Sequence, residues 1–470
     1  MSNKGLFSEK LKIVNIGLRS FKETLDVSGA ESIHVEWKPP VGITADAAKI
    51  LAGSRVRIEE ANLKAAAIIN GGSPKLVGMG SAIDVVPGMQ KNLILHAGPP
   101  VSWERMCGPM RGAVMGALVY EGFAKTPEDA GSLAASGKIR FEPCHEHQAV
   151  GPMAGIISAS MPVFIVRNET HGNLSFCTQN EGLGKVLRYG AYAPEVIEHL
   201  RWMEKTLYPV LKNALVSTGP LDLKALIAQA LHMGDEVHNR NRAATSLFYR
   251  AIAPHIVRTA PDTGTAVRVL DFINGNDHFF LNLSMAASKA VLDPASGIES
   301  SSVVTVMARN GTDFGIKLSG TGGEWFTGEA PVPDALFFAG FTREDANPDI
   351  GDSAITETGG LGGFAIAASP AIVKFVGGRA EDAISYTMQM YEITASESPA
   401  YQIPGLDFRG TPTGIDAVKV VQKGVMPFID TGVAHKKPGV GQVGAGVLSA
   451  PEEPFRKAVE GLAARLAGNK

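Results

Sequence analysis

Apolar positions change their spacing twice along this chain, and the changes divide it. Residues 11–16 read as a short buried strand, Gly17 as a turn, and Leu18, Phe21 and Leu25 as one face of a helix. Residues 33–37 alternate as a second strand that stops at Pro39-Pro40. Such a β-α-β opening pairs its strands in parallel with a right-handed crossover by default. Helical runs at 45–52 and 55–69 follow, then a Pro- and Gly-containing stretch over 71–89, then a strand at 93–95. Residues 1–90 are therefore expected to form a small Rossmann-like α/β domain. Its first strand-to-helix turn carries a single glycine, so a dinucleotide fingerprint is absent.

From 91 to 195 the elements shorten. Pro109 opens a helix at the first-turn position that suits proline, and Gly112, Ala113, Gly116 and Ala117 give that helix a face on which another backbone can pack closely. Strands are predicted over 137–142 and 163–166, and 179–185 reads as a loop entering a short helix. Between 196 and 300 the spacing turns helical, at 202–215, 221–232, 240–257, 265–273 and 279–292. After Pro294 the pattern is mixed again: a hairpin of 302–307 with 314–318, strands at 336–340 and 372–375, a helix at 380–393, and a closing amphipathic helix at 454–466. The predicted class is α/β. A Rossmann-like N-terminal domain (1–90) precedes a central glycine-rich α/β domain in two parts (91–195 and 301–470), interrupted by a helical domain (196–300).

Composition narrows the function classes. With 45% hydrophobic and 19% charged residues and a net charge of −3, the chain reads as a globular protein without a nucleic-acid surface. No stretch approaches the apolar length of a membrane span, and the first residues lack a signal core, so a cytoplasmic location is expected. The three cysteines, Cys107, Cys144 and Cys177, are odd in number and far apart, which fits reduced thiols.

Chemistry-bearing residues concentrate between 95 and 190. Cys144-His-Glu-His147 offers a thiol, two imidazoles and a carboxylate; on a strand, His145 and His147 would face one way. The full metal-binding spacing is missing, so no metal ligand is assigned. Acid/base or anion-binding work by His145 stands beside the plainer reading of a hydrogen-bonded histidine. Thr170-His-Gly-Asn173 places His171 beside a glycine, and with Glu169 and Glu181 it could activate a nucleophile or merely cap a turn. Lys185 and Arg188, one turn apart on the expected helix, could clamp a phosphate or carboxylate or lie on a solvated face. Arg111 begins its helix, where N–H groups attract anions. Late glycine-rich loops at 319–323, 358–363 and 439–446 could cradle an oxyanion through backbone N–H groups. Asp352…Glu357 and Asp430…His435 lead into the second and third of these loops as secondary candidates. The candidates are thus His145, His171 and Glu181 for catalysis, and His96, Arg111, Asn173, Lys185, Arg188, Gly360, Gly441 and His435 for holding a small anion.

Several long motifs resemble one family. Leu95-His-Ala-Gly-Pro-Pro100, Ala149-Val-Gly-Pro-Met153, Ser158-Ala-Ser-Met-Pro162, Thr170-His-Gly-Asn173, Asn180-Glu-Gly-Leu-Gly-Lys185, the run from Asn347 to Thr358, and Thr431-Gly-Val-Ala-His-Lys436 resemble the AllG/YlbE/YahG family over nearly the whole chain. Val14-Asn-Ile-Gly-Leu18 and Val35-Glu-Trp-Lys-Pro-Pro40 also look like segments of FdrA-like proteins, relatives of succinyl-CoA synthetase. The resemblance implies a subunit of oxamate carbamoyltransferase, converting oxalurate and phosphate to oxamate and carbamoyl phosphate in allantoin breakdown. It implies FdrA-like and AllH-like partner subunits, with a homo-oligomer open. The cofactor is left open, Mg2+ for activity of the complex being the one candidate. The alternatives are a CoA- or nucleotide-linked acid ligase subunit, against which no Walker-type loop is present, and a non-catalytic effector-binding scaffold.

Overall fold

The computed structural model describes residues 13–16, 19–35, 42–372 and 379–468, and it is mixed α/β. The β-α-β opening is present: strand Ile13–Ile16, helix Arg19–Val27 and strand Ser32–Val35, with the two strands paired in parallel. Gly17, Leu18, Pro39-Pro40 and most of the expected strand at 372–375 lie outside the described residues.

The two helices expected next are Ala45–Gly53 and Arg55–Gly71, and they pack into the body of the protein. Ala47, Leu51 and Ile58 join an apolar core with the C-terminal third, whereas Ala65 and Ile69 join the larger core built on the helices between 194 and 292. Between these ends Asn62 is fully buried and fully used. Its Nδ2 donates to Ser302 and Asp416, and its Oδ1 accepts from Ser301 and the Ser302 N–H. The Pro- and Gly-containing stretch after this helix is a strand, Pro74–Ser81, rather than an irregular connection. Proline is tolerated at a first strand position, and the register shift near Gly78 absorbs the break in alternation.

Pro74–Ser81 is central in an antiparallel sheet with Pro162–Asn168, Leu174–Thr178 and the short Leu221–Asp222. Helix Leu281–Leu292 lies on this sheet. Nearly every side chain on that helix is buried, so it acts as the axis of the molecule. Burying each of its Leu and Met side chains contributes about 1.5–3 kcal/mol. The helices Leu223–His232, Arg242–Thr259 and Thr263–Gly275 complete the expected helical region. A π-helical turn at Met203–Leu207 links Pro194–Trp202 to Tyr208–Thr218.

In the last third, Val304–Asn310 and Asp313–Leu318 form the expected hairpin, extended by Phe326–Glu329 and Ile350–Gly351. Asp334–Phe337, Gln442–Ser449 and Phe428–Ala434 make a three-stranded sheet, and Thr394–Ile403 pairs with Arg409–Ile415. The third glycine-rich stretch is therefore largely a central strand, not an anion loop. A Cβ on Gly446 would come 2.0 Å from the Asp334 carbonyl, so glycine there lets two strands meet.

Candidate functional site

The chain segment from Asp349 to Gly363 carries three buried carboxylates, and each is held by a different part of the molecule. Asp349 pairs with the fully buried Arg309 through Nε at 2.5 Å, and accepts from Thr431 Oγ1 at 2.7 Å. This pair satisfies its own charge. Asp352 faces the loops at Gly98 and Gly151. Its Oδ1 accepts from the Gly98 N–H at 2.8 Å and its Oδ2 from the Gly151 N–H at 3.0 Å. Gly98 adopts φ +84, and a Cβ there would lie 2.5 Å from the Arg309 backbone, so only glycine permits the approach.

His145 sits against Asp352, Nε2 to Oδ1 at 3.4 Å, without the alignment of a hydrogen bond; neither ring nitrogen has a protein partner. Burial lowers its basicity, partly offset by the Asp352 charge, so the ring is held neutral. His96 is also enclosed and pushed toward neutrality by burial; its Nδ1 meets the Ala97 carbonyl and its Nε2 is unpartnered. His147 does not share the face of His145, because residues Cys144–His147 form a 3-10 turn rather than a strand. It points instead to Glu142 and the Pro87 carbonyl, each at 2.7 Å.

Glu357 anchors a second cluster. Its Oε1 accepts from His238 Nδ1 at 2.7 Å, the Asp430 N–H at 3.0 Å and the Gly363 N–H at 3.1 Å, while Thr356 Oγ1 donates to Oε2. Asp430 and Glu236 lie beside it, fully enclosed; both Asp430 oxygens and Glu236 Oε2 lack partners. Burial, then the Glu236 and Glu357 charges, raise the Asp430 carboxyl well above the usual range, and burial raises Glu236 to about 8. The cluster therefore holds protons at neutral pH. His278, nearby, is driven down to about 3 by burial and by the Arg188 and His238 charges.

Glu181 and Arg188 meet at a cavity also lined by Thr178, Gln179 and Asn282. The expected helix over these residues is absent. Glu181 accepts from the Leu187 and Arg188 N–H groups at 2.6 and 3.2 Å, taking the donors a helix would need, and the chain makes only the turn Leu187–Tyr189. Burial raises the Glu181 carboxyl to about 7 against the pull of Arg188. Arg188 donates Nε and Nη2 to the Gly182 carbonyl and stacks on Tyr189. Lys185 does not join it as a clamp; it is exposed and pairs with Glu195.

The remaining sequence candidates are dispersed. His171 is exposed on the turn of the Pro162–Asn168/Leu174–Thr178 hairpin. Neighbouring Asn173 donates to the Ala290 carbonyl near one end of helix Leu281–Leu292, whereas Asn180, beside Glu181, bonds Asn282 at the other. A 12-residue helix spans about 18 Å, so His171 and Lys185 do not grip one small molecule together. Arg111 closes the Trp103–Arg105 turn through the Trp103 and Glu104 carbonyls. His435 accepts from the Lys437 N–H and stands 3.6 Å from Asp345. Gly360 packs on the strand Arg409–Ile415, and Gly441 on the Gly184-Lys185 backbone, so one late glycine turn does meet the Glu181 loop. Burial pushes the Cys107 thiol up to about 11 and raises Cys144 and Cys177 further, which makes all three packing residues.

Residues 139–353 match the family model for oxamate carbamoyltransferase subunit AllG. The chain is 46% identical to the uncharacterized protein YahG of Escherichia coli K12, over 98% of this chain and 99% of that one. It is 48% identical to the oxamate carbamoyltransferase subunit AllG of the same organism, over 79% of this chain and 89% of the relative. The chain belongs to the AllG/YahG family. A crystal structure of a conserved protein of unknown function from Enterococcus faecalis V583 superposes with a TM-score of 0.86 at 48% identity, covering 87% of this chain and 98% of that one. The matched segment contains Glu181, Arg188, Glu236, His238 and Asp352 but ends before Glu357 and Asp430.

Sequence reasoning passed over Glu236, His238 and Gln179. The run Asp235-Glu-Val-His238, directly after Gly234 in an otherwise apolar helical region, was a signal available in the sequence. Among the described residues no group of three His, Cys, Asp or Glu side chains is placed to hold a metal ion, and no helix is long and apolar enough to cross a membrane.

Proposed function

We propose that this chain is the AllG-type subunit of an oxamate carbamoyltransferase. In that reaction phosphate and oxalurate give carbamoyl phosphate and oxamate, with FdrA-like and AllH-like subunits as partners. The observation that carries the reading is 48% identity to the AllG subunit over 89% of its length. The chemistry of the Glu181 cavity supports it. A phosphate oxygen attacks the carbamoyl carbon of oxalurate, the bond from that carbon to the oxamyl nitrogen breaks, and the nitrogen leaves as oxamate once it takes a proton. Glu181, near pH 7 in its titration, retains a proton it can give to that nitrogen. Arg188 supplies positive charge for the oxalurate carboxylate. His145, held neutral against Asp352 and not among the residues lining this cavity, is a second candidate proton carrier. His171, exposed on its hairpin, would act only beneath a partner subunit.

Reconstitution with the partner subunits tests the proposal, with phosphate-dependent oxalurate cleavage read as carbamoyl phosphate. Activity is expected only when this chain is present, and Glu181→Gln is expected to lower kcat about a hundredfold. Full activity without the chain would overturn the assignment.

A further inference from the structure

Gln179 is 3% exposed, and neither its amide oxygen nor its amide nitrogen has a partner. The amides around it are in the opposite condition. Asn180 donates to Asn282 Oδ1 at 2.7 Å and accepts from the Gly182 N–H at 2.9 Å. Asn282 donates to the Thr178 carbonyl at 2.7 Å, and Asn276 donates to the Asn180 carbonyl at 3.0 Å. Asn173 and Asn241 each leave one amide oxygen open, whereas Gln179, among the described residues, leaves both its polar atoms open. A buried polar group left open in a native structure needs a water or a ligand to complete it.

The open amide faces space. Gln179 lines two adjoining cavities, which share Ile156, Thr178, Gln179 and Glu181. Arg188 and Asn282 line the smaller, and Met203 lines the larger. Met203 begins the π-helical turn Met203–Leu207, a geometry that recurs at functional sites. A side-chain amide offers one acceptor and one donor side by side in a plane. Its full complement is a group with a donor and an acceptor in the same arrangement, namely a primary carboxamide. A carboxylate has acceptors only and would leave the Gln179 oxygen opposed. The Arg188 guanidinium in the same wall provides for a carboxylate at the other end of a short molecule.

We propose that this double cavity seats a small molecule bearing a carboxamide beside a carboxylate, with Gln179 as the residue that selects the carboxamide. The inference rests on the transferase reading for its choice of probe, oxamate, and on the geometry for the role of Gln179. Oxalate, in which a carboxylate replaces the carboxamide, is the matched control.

Calorimetric titration of the full chain should show oxamate binding at least tenfold tighter than oxalate. Gln179→Leu should abolish that preference by weakening oxamate. Gln179→Glu, which keeps an acceptor for the amide nitrogen and repels oxalate, should retain it, and thermal melts confirm folding of both variants. Absence of oxamate binding to the parent chain, or variants that both keep the parental oxamate-to-oxalate ratio, would overturn the proposal. The reconstituted complex separates the two readings. Carbamoyl phosphate formation with an oxamate product-inhibition constant unmoved by Gln179→Leu sinks this inference and leaves the transferase. Gln179-dependent oxamate binding in a complex that makes no carbamoyl phosphate does the reverse.

Discussion

His238 Nδ1 donates to Glu357 Oε1 across 2.7 Å, joining residues 119 apart in the chain inside a fully enclosed cluster. The bond ties the loop after helix Leu223–His232 to the short helix Ile355–Thr358. Removing the acceptor strands His238 and the N–H groups of Asp430 and Gly363 together. Glu357→Ala is therefore expected to cost roughly 3–5 kcal/mol, read as a lower urea midpoint. Glu357→Gln, which keeps an acceptor oxygen, should lose less.

Asp430 and Glu236 make stability depend on pH in the less common direction. Their carboxyls are raised on folding, so the folded chain binds protons that the unfolded chain has released, and stability falls as pH rises. For Glu236 the window runs from 4.5 to about 8. Within it each proton taken up tilts stability by at most about 1.4 kcal/mol per pH unit. Asp430→Asn and Glu236→Gln each remove one uptake, so their melting temperatures should gain on the parent steadily from pH 5 to pH 8. A difference constant across that range would rule out proton storage by the pair.

If protonated Glu181 supplies the proton to the leaving nitrogen, kcat should decline above about pH 7, where the carboxyl ionises. Glu181→Gln should be slow at every pH and show no such limb. A wild-type profile flat from pH 6 to pH 9 would assign the proton to another group.

Gly112 faces the turn that carries Arg188. A Cβ there would lie 2.2 Å from the Gly190 carbonyl oxygen, which is backbone and cannot rotate away. Gly112→Ala should cost about 1–3 kcal/mol and, by displacing the turn, reduce turnover beyond what the stability loss explains. Gly71→Ala, whose added methyl meets open space, should leave both nearly unchanged.

The elements with strong periodicity were legible. Helices between 208 and 292, and Glu452–Gly468, lay where the 3.6-residue spacing put them, because each buries a continuous apolar stripe, whereas Pro194–Trp202 was not anticipated. Strands at Thr394–Ile403, Arg409–Ile415 and Gln442–Ser449 were not, since their sequences are broken by Ser, Pro and Gly. Gly444 and Gly446 are strand residues because Asp334–Phe337 runs too close for side chains, a reason written in a distant segment. The placement of the candidate residues was legible in part. Glu181 and Arg188 were named and meet at one cavity, and His96 and His145 were named and are both buried, His145 against Asp352. The clamp expected of Lys185 and the shared face expected of His147 assumed a helix and a strand that local N–H competition and a 3-10 turn replace.

The long sequence separation of these partners sets a rule for recombining the chain with its relatives. A crossover between residues 238 and 357 would draw His238 from one parent and its acceptor from the other. A crossover placed before 235 or after 431 transmits Glu236, His238, Glu357 and Asp430 as a single heritable block. Hybrids of the first kind are expected to fail whenever the parents differ in how that interior is filled, even where each half is sound in its own lineage.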